Sequence, residues 1–168
     1  MFTNRVRQAI AATLQGLPLS ATVDSFTPPK IEFEMEAMTG GRFIAEEMAR
    51  SGKPLTATLI LQGAGPEIML ALGVRLGDDI LLNVREAGQD QDGKTYFTYH
   101  TVGGKLKSLS EAAMVMNTKA TTTLELSCRT YNRLENGIPV IDIDVRTQKF
   151  VLNGVDILGD ARRAVLMP

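Results

Sequence analysis

Between Lys119 and Leu134 the sequence alternates. Ala120, Thr122, Leu124, Leu126 and Cys128 fall on one parity, with Lys119, Thr121, Thr123, Glu125, Ser127 and Arg129 on the other. Successive side chains of an extended chain point to opposite faces, so this period of two predicts one long strand with an apolar and a polar side. The same period runs through Lys30–Glu36, where Ile31, Phe33 and Met35 alternate with Glu32, Glu34 and Glu36. A chain patterned in this way is committed to sheet.

Turn chemistry divides the rest. Leu55–Gln62, rich in Thr, Leu and Ile, predicts a strand. Gly63-Ala64-Gly65 turns it into a short helix with Pro66 at its first position, Glu67 in the first turn, and Gly73 or Gly77 at its end. Asp79–Glu86, a turn over Gly88–Gly93, and Thr95–Val102 read as a hairpin. Its second strand runs on toward Leu109 through a bulge at Gly103-Gly104. Asn136-Gly137 is a hairpin turn from which Ile138–Val145 returns; Lys149–Leu152 follows, and Asn153-Gly154 turns the chain toward a short C-terminal segment. The 37–54 segment is a long connection carrying Gly40-Gly41 and Gly52, with a short helix expected over Phe43–Arg50. The expected fold is mainly β, sandwich- or barrel-like, with one short α-helix from Pro66, and residues 1–168 form a single domain.

Composition removes whole classes of function. The 168 residues include one Cys, one His and no Trp, and the formal net charge is -1. A single cysteine permits no disulfide framework within the chain and no multi-cysteine metal site, and a single histidine permits no paired-histidine site. Near-neutral charge argues against tight, sequence-independent binding of nucleic acid, which relies on clustered Lys and Arg. No apolar run approaches the ~20 residues that span a bilayer, so no membrane anchor is expected. Arg5 and Arg7 before Ala9–Leu14 imitate an export signal, but Gln15, Gly16 and Pro18 interrupt it. An N-terminal arm and strand in a chain made in a reducing cytoplasm is the reading adopted.

Sites of chemistry are weak. Gly63-Ala64-Gly65 before Pro66 imitates a dinucleotide fingerprint, but Ile68 replaces its third glycine and a hairpin follows. Asp90-Gln91-Asp92-Gly93 is half a calcium loop, with Gly88 and Tyr99 where ligands belong. Asp142 and Asp144 share a strand face without any pocket to split their acidities. His100 and Cys128 have no nucleophile–base partners; His100 reads as a packed or half-exposed ring and Cys128 as a small core residue. No catalytic residue, cofactor or metal is expected. The Glu32/Glu34/Glu36 row is either a solvated strand face or the lining of a water-filled passage.

The last third resembles a known family. Leu126-Ser127-Cys128-Arg129-Thr130-Tyr131, Asn136-Gly137, Val140-Ile141-Asp142-Ile143-Asp144, Val151-Leu152-Asn153-Gly154-Val155-Asp156-Ile157-Leu158 and Arg162-Arg163 occur in order. The pattern is similar to the C-terminal region of the major tail tube proteins of contractile phages and R-type bacteriocins. Pro29-Lys30-Ile31 and Gly40-Gly41 fit the family's N-terminal half, so the resemblance spans nearly the whole chain from about Thr13. Arg129 stands as an insertion in the family's tighter Cys-Thr-Tyr form, the Phe43–Arg50 stretch is longer or more helical than the family's, and the end Val165–Pro168 departs from its Gly-Leu.

The resemblance implies a structural subunit that self-assembles into hexameric rings, stacked as a conduit for DNA or effectors. Each subunit would give four strands to a shared barrel. Six such sets at about 4.8 Å per strand give a circumference of about 115 Å and a bore of roughly 37 Å before side chains. On this basis Glu32, Glu34, Glu36, Thr121, Thr123 and Glu125 are candidates for the lumen, diluted by Lys30, Lys119 and Arg129. Gly40, Gly41, Phe43 and Ile44, in the 37–54 loop, are candidates for contacts between rings. The implied partners are further copies of the chain, then sheath, tape-measure and baseplate proteins, with DNA passing unbound through a tail tube in the virion, built from chains made in the host cytoplasm. The alternatives are a ring-forming tube protein of type VI secretion and a monomeric β-barrel ligand-binding module.

Overall fold

The computed structural model describes residues 3–19, 23–63 and 78–167. Twelve strands occur among them: β1 (Arg5–Leu14), β2 (Leu17–Pro18), β3 (Val23–Thr27), β4 (Phe33–Met38), β5 (Glu46–Gly52), β6 (Leu55–Gln62), β7 (Ile80–Asp90), β8 (Thr95–Glu111), β9 (Thr121–Glu135), β10 (Ile138–Asp144), β11 (Lys149–Leu152) and β12 (Val155–Asp156). One short helix, α1 (Gly159–Ala164), follows them. Among the described residues the protein is thus mainly β with a short helix. The helix expected from Pro66 lies outside the described residues, and α1 carried no recognisable start signal, since Leu158 at its N-cap makes no side-chain cap.

Ten strands form one open antiparallel sheet, in the order β12-β11-β10-β9-β8-β7-β1-β2, with β6 joined to β9 and β3 joined to β6. The long alternating strand organises it. One edge of β9 pairs with β8 over most of its length, while the other pairs with β6 over its first half and β10 over its second. Leu59, Leu61, Leu82, Val84, Val102, Leu124 and Leu126, from four strands, are almost wholly buried in one core. Antiparallel pairing with one solvated face explains why the alternation was so legible.

β8 and β9 bulge where they cross. Gly103 pairs with Thr130 but Gly104 pairs with Cys128, which leaves Arg129 as the extra residue. The insertion seen in the sequence therefore has a structural role, because it shifts the parity so that Tyr131, three residues after Cys128, also faces the core. At Gly104 a Cβ would stand 2.0 Å from the Ser127 carbonyl oxygen, so only glycine fits. The Asn136-Gly137 and Asn153-Gly154 turns form as read, with positive φ at all four residues.

One expectation for residues 30–54 needs correction. Phe43–Arg50 is not a helix: Glu46–Gly52 is strand β5, paired with β4 in a separate two-stranded sheet. An isolated helix of this length has little stability of its own, whereas a turn through Gly40 and Gly41, both at positive φ, gives the returning chain a ready-made partner. The long connection is therefore mostly a hairpin. On its apolar side Phe33, Met35, Met38 and Met48 remain substantially exposed. Only the base is anchored, where Phe33 meets Phe150 at 5.8 Å between ring centres and the Lys53 N–H donates to the Glu32 carbonyl at 2.8 Å.

Candidate assembly site

One sheet face stands out chemically. In β6, Leu55, Ala57, Leu59 and Leu61 are buried, while Thr56, Thr58, Ile60 and Gln62 lie half-exposed on the opposite side. Register then brings Thr58 beside Glu125, Ile60 beside Thr123 and Gln62 beside Thr121. From β8, Ser108 falls beside Glu125 and Ser110 beside Thr123, and the Ser108 hydroxyl donates to the Glu125 carboxylate at 3.1 Å. From β3, Ser25 and Thr27 pair with Ile60 and Thr58, and the Gln62 amide donates to Asp24 at 2.7 Å. The result is a four-stranded face, β3-β6-β9-β8, covered largely by hydroxyls.

Thr121, Thr123 and Glu125 are thus brought together with residues that sequence reasoning missed, notably Thr56, Thr58 and Ser108. The alternation within β6 was visible in the sequence, but nothing there said that its polar side continues the polar side of β9. Glu34 and Glu36 stand elsewhere, on the two-stranded hairpin sheet, with Glu32 just before it. Glu34 accepts a hydrogen bond from Ser51 at 3.2 Å. Glu32 lies between Lys53 at 3.2 Å and Lys30 at 3.5 Å, and the Lys53 hydrogen bond, helped by the charge of Lys30, lowers its carboxyl pKa. Gly40, Gly41, Phe43 and Ile44 lie at the hairpin tip, where Phe43 is fully exposed.

The polar face has two free margins among the described residues. β3 pairs on one side only, with β6. β8 loses its second neighbour at Gly104, the last residue in register with β7, so Lys105–Glu111 bonds to β9 alone. Open strand edges carry unpaired N–H and C=O groups and invite another strand.

The Gly63-Ala64-Gly65 motif before Pro66 lies, apart from Gly63, outside the described residues, while three other sequence candidates have structural explanations. Asp90 accepts from the Asp92 and Lys94 backbone N–H groups at 3.0 and 2.8 Å, so its motif caps a turn. Asp142 pairs with Lys149 at 2.7 Å, and Asp144 accepts from the Arg146 N–H at 3.0 Å. Cys128 is buried, and burial pushes its thiol up to about 11, far from a reactive thiolate. Among the described residues no three acidic, His or Cys side chains are placed to hold a metal ion, and no helix is long and apolar enough to cross a membrane.

Among the described residues the chain is thus an antiparallel β-protein with a hydroxylated face and two open strand edges. More particularly, the chain belongs to the phage tail tube protein FII family, whose model matches residues 7–165. It is a structural protein of the tail tube kind, a component of a virion or phage-derived particle. Among solved structures, it is similar in fold to a chain of an extracellular contractile injection system described as the PVC sheath/tube terminator in the extended state, with TM-score 0.53 and 12% identity over 75% of this chain and 93% of that one. A chain of the anti-feeding prophage baseplate gives TM-score 0.49 and 14% identity over 80% and 97%. No curated protein sequence matches it.

Proposed function

We propose that six copies of this chain close into a ring by pairing β3 of one subunit with the Lys105–Glu111 segment of β8 in the next, and that the rings stack into a conduit. The observation that carries the reading is the pair of open edges on either side of the polar face. Across the face the strand directions alternate, because β3/β6, β6/β9 and β9/β8 are all antiparallel. Head-to-tail addition of a further copy sets β8 beside an oppositely running β3, so the alternation continues through the joint and closes when the rotation does. The two edges, roughly five and seven residues long, are also matched in length.

The polar face then lines the bore. Hydroxyls with few charges wet a passage without gripping phosphates, as a conduit for DNA requires. Thr121, Thr123 and Glu125 are lumen residues on this reading. Glu34 and Glu36, on the projecting hairpin, belong to contacts between subunits, as do Gly40, Gly41, Phe43 and Ile44. Sheath, tape-measure and baseplate proteins are the further partners.

Sizing chromatography with negative-stain microscopy of the purified chain tests this. Hexameric rings or tubes with an open centre are expected. A strictly monomeric species at every concentration overturns it.

A further inference from the structure

The two open margins of the polar face share an unusual spacing. On β3, Val23 and Phe26 both pack against the core although they stand three residues apart, a separation that puts side chains of a regular strand on opposite faces. On the free part of β8, Leu106 and Leu109 do the same. The cause is one extra residue in each strand. Asp24 falls in a register shift of β3 against β6, between Val23 and Ser25. Lys107 falls in a register shift of β8 against β9, between Leu106 and Ser108. Each margin thus presents two partly buried apolar residues with a charged extra residue between them, and the two charges are opposite.

A bulged edge seats poorly against a straight one, but two edges bulged at the same spacing match. When β3 and β8 run antiparallel with Phe26 beside Leu106 and Val23 beside Leu109, Ser25 falls beside Lys107 and Asp24 beside Ser108. Thr27 then stands beside Lys105. Both apolar pairs extend the core across the joint, and the Asp24 carboxylate comes next to the Lys107 ammonium group. Both side chains are exposed, and among the described residues neither has an ion-pair partner in its own chain. Asp24 accepts a hydrogen bond from the Gln62 amide at 2.7 Å, on the polar face.

Sliding the strands is unfavourable in both directions. With Phe26 beside Leu109, only one apolar pair survives and Asp24 meets the like charge of Glu111. With Val23 beside Leu106, Ser25 and Phe26 would need the edge at Gly104 and Gly103, which already pair with Ile80 and Leu81 of β7. Charge and edge availability therefore single out one register among those that keep apolar residues on the core side.

We infer that neighbouring copies join in the register that sets Phe26 beside Leu106 and Val23 beside Leu109, and that Asp24 of one copy pairs with Lys107 of the next to select it. This deepens the ring closure proposed above and rests on it.

Two experiments test it. In this register Thr27 and Lys105 are neighbours across the joint, whereas Ser108 lies roughly 10 Å further along the strand. Oxidised rings of Thr27→Cys/Lys105→Cys should therefore run as a ladder of up to six subunits on a non-reducing gel. Rings of Thr27→Cys/Ser108→Cys should not, Cys128 being buried in both. A ladder from the second variant, or rings of the first that give none, overturns the register. The variants Asp24→Lys and Lys107→Asp should each raise the concentration at which rings form by about tenfold or more. The exchange Asp24→Lys/Lys107→Asp should return it near the original value. No recovery in the exchanged protein overturns the ion pair while leaving ring closure standing. Absence of rings in the unsubstituted protein overturns ring closure, and the register with it.

Discussion

His100 is buried against Tyr131, sharing a hydrogen bond of 2.9 Å through Nδ1, with the Phe26 ring 5.5 Å away. Burial, reinforced by the neighbouring Arg133 charge, lowers its pKa to about 4. The folded protein therefore keeps it neutral where the unfolded chain, with a value of about 6.5, would bind a proton. Stability from this residue is fully present above about pH 6.5, declines as pH falls toward about 4, and then levels off. The loss amounts to about 3 kcal/mol. Chemical unfolding measured across this range should show the decline, and His100→Gln should remove most of it; an unchanged slope would mean that other groups dominate. The sequence offered His100 as a packed or half-exposed ring. Its neutral state comes from the low-dielectric core around it, which no local pattern encodes.

At the scale of elements, the β8–β9 crossing is the most constrained feature. Gly103-Gly104 was legible as a bulge and Arg129 as an insertion, and the structure joins the two into one event. The Gly104→Ala variant should lose about 3 kcal/mol in denaturant unfolding, since its methyl group meets the Ser127 backbone rather than a side chain that can move. A loss below about 0.5 kcal/mol would show that the bulge relaxes. The β4–β5 hairpin teaches the opposite lesson. Alternation over Lys30–Glu36 overlapped β4, which the structure places at Phe33–Met38, but Glu46–Gly52 pairs only because Gly40 and Gly41 return it to β4. A stretch such as Phe43–Arg50, with Ala, Glu, Met and Arg, carries helix propensity, and pairing overrode it.

At the scale of the whole molecule, the assembly face is a product of register. Thr121, Thr123 and Glu125 shared a strand parity in the sequence, but their union with Thr56, Thr58 and Ser108 needed β6 and β8 on either side of β9. Thr123 stands near the middle of that face, beside Ile60 and Ser110. In a ring of the proposed kind, Thr123→Lys would place an ammonium group from every subunit around the bore. Rings should still form by microscopy, while DNA delivery by the assembled particle should fall because the lysines attract phosphate. Undiminished delivery would show that Thr123 faces away from the passage.

The sequence by itself determined most of the strands, their buried and polar parities and the hairpin turns, and its resemblance in the C-terminal third pointed to the family. These are local properties, set by side-chain period and by the φ values that Gly and Asn allow. The tertiary structure alone decided which polar sides join into one face, which edges stay open among the described residues and that the acidic row stands on a projecting hairpin. Those depend on pairing between residues far apart in the chain, where backbone hydrogen bonds and core burial select one arrangement among many that the same local pattern permits.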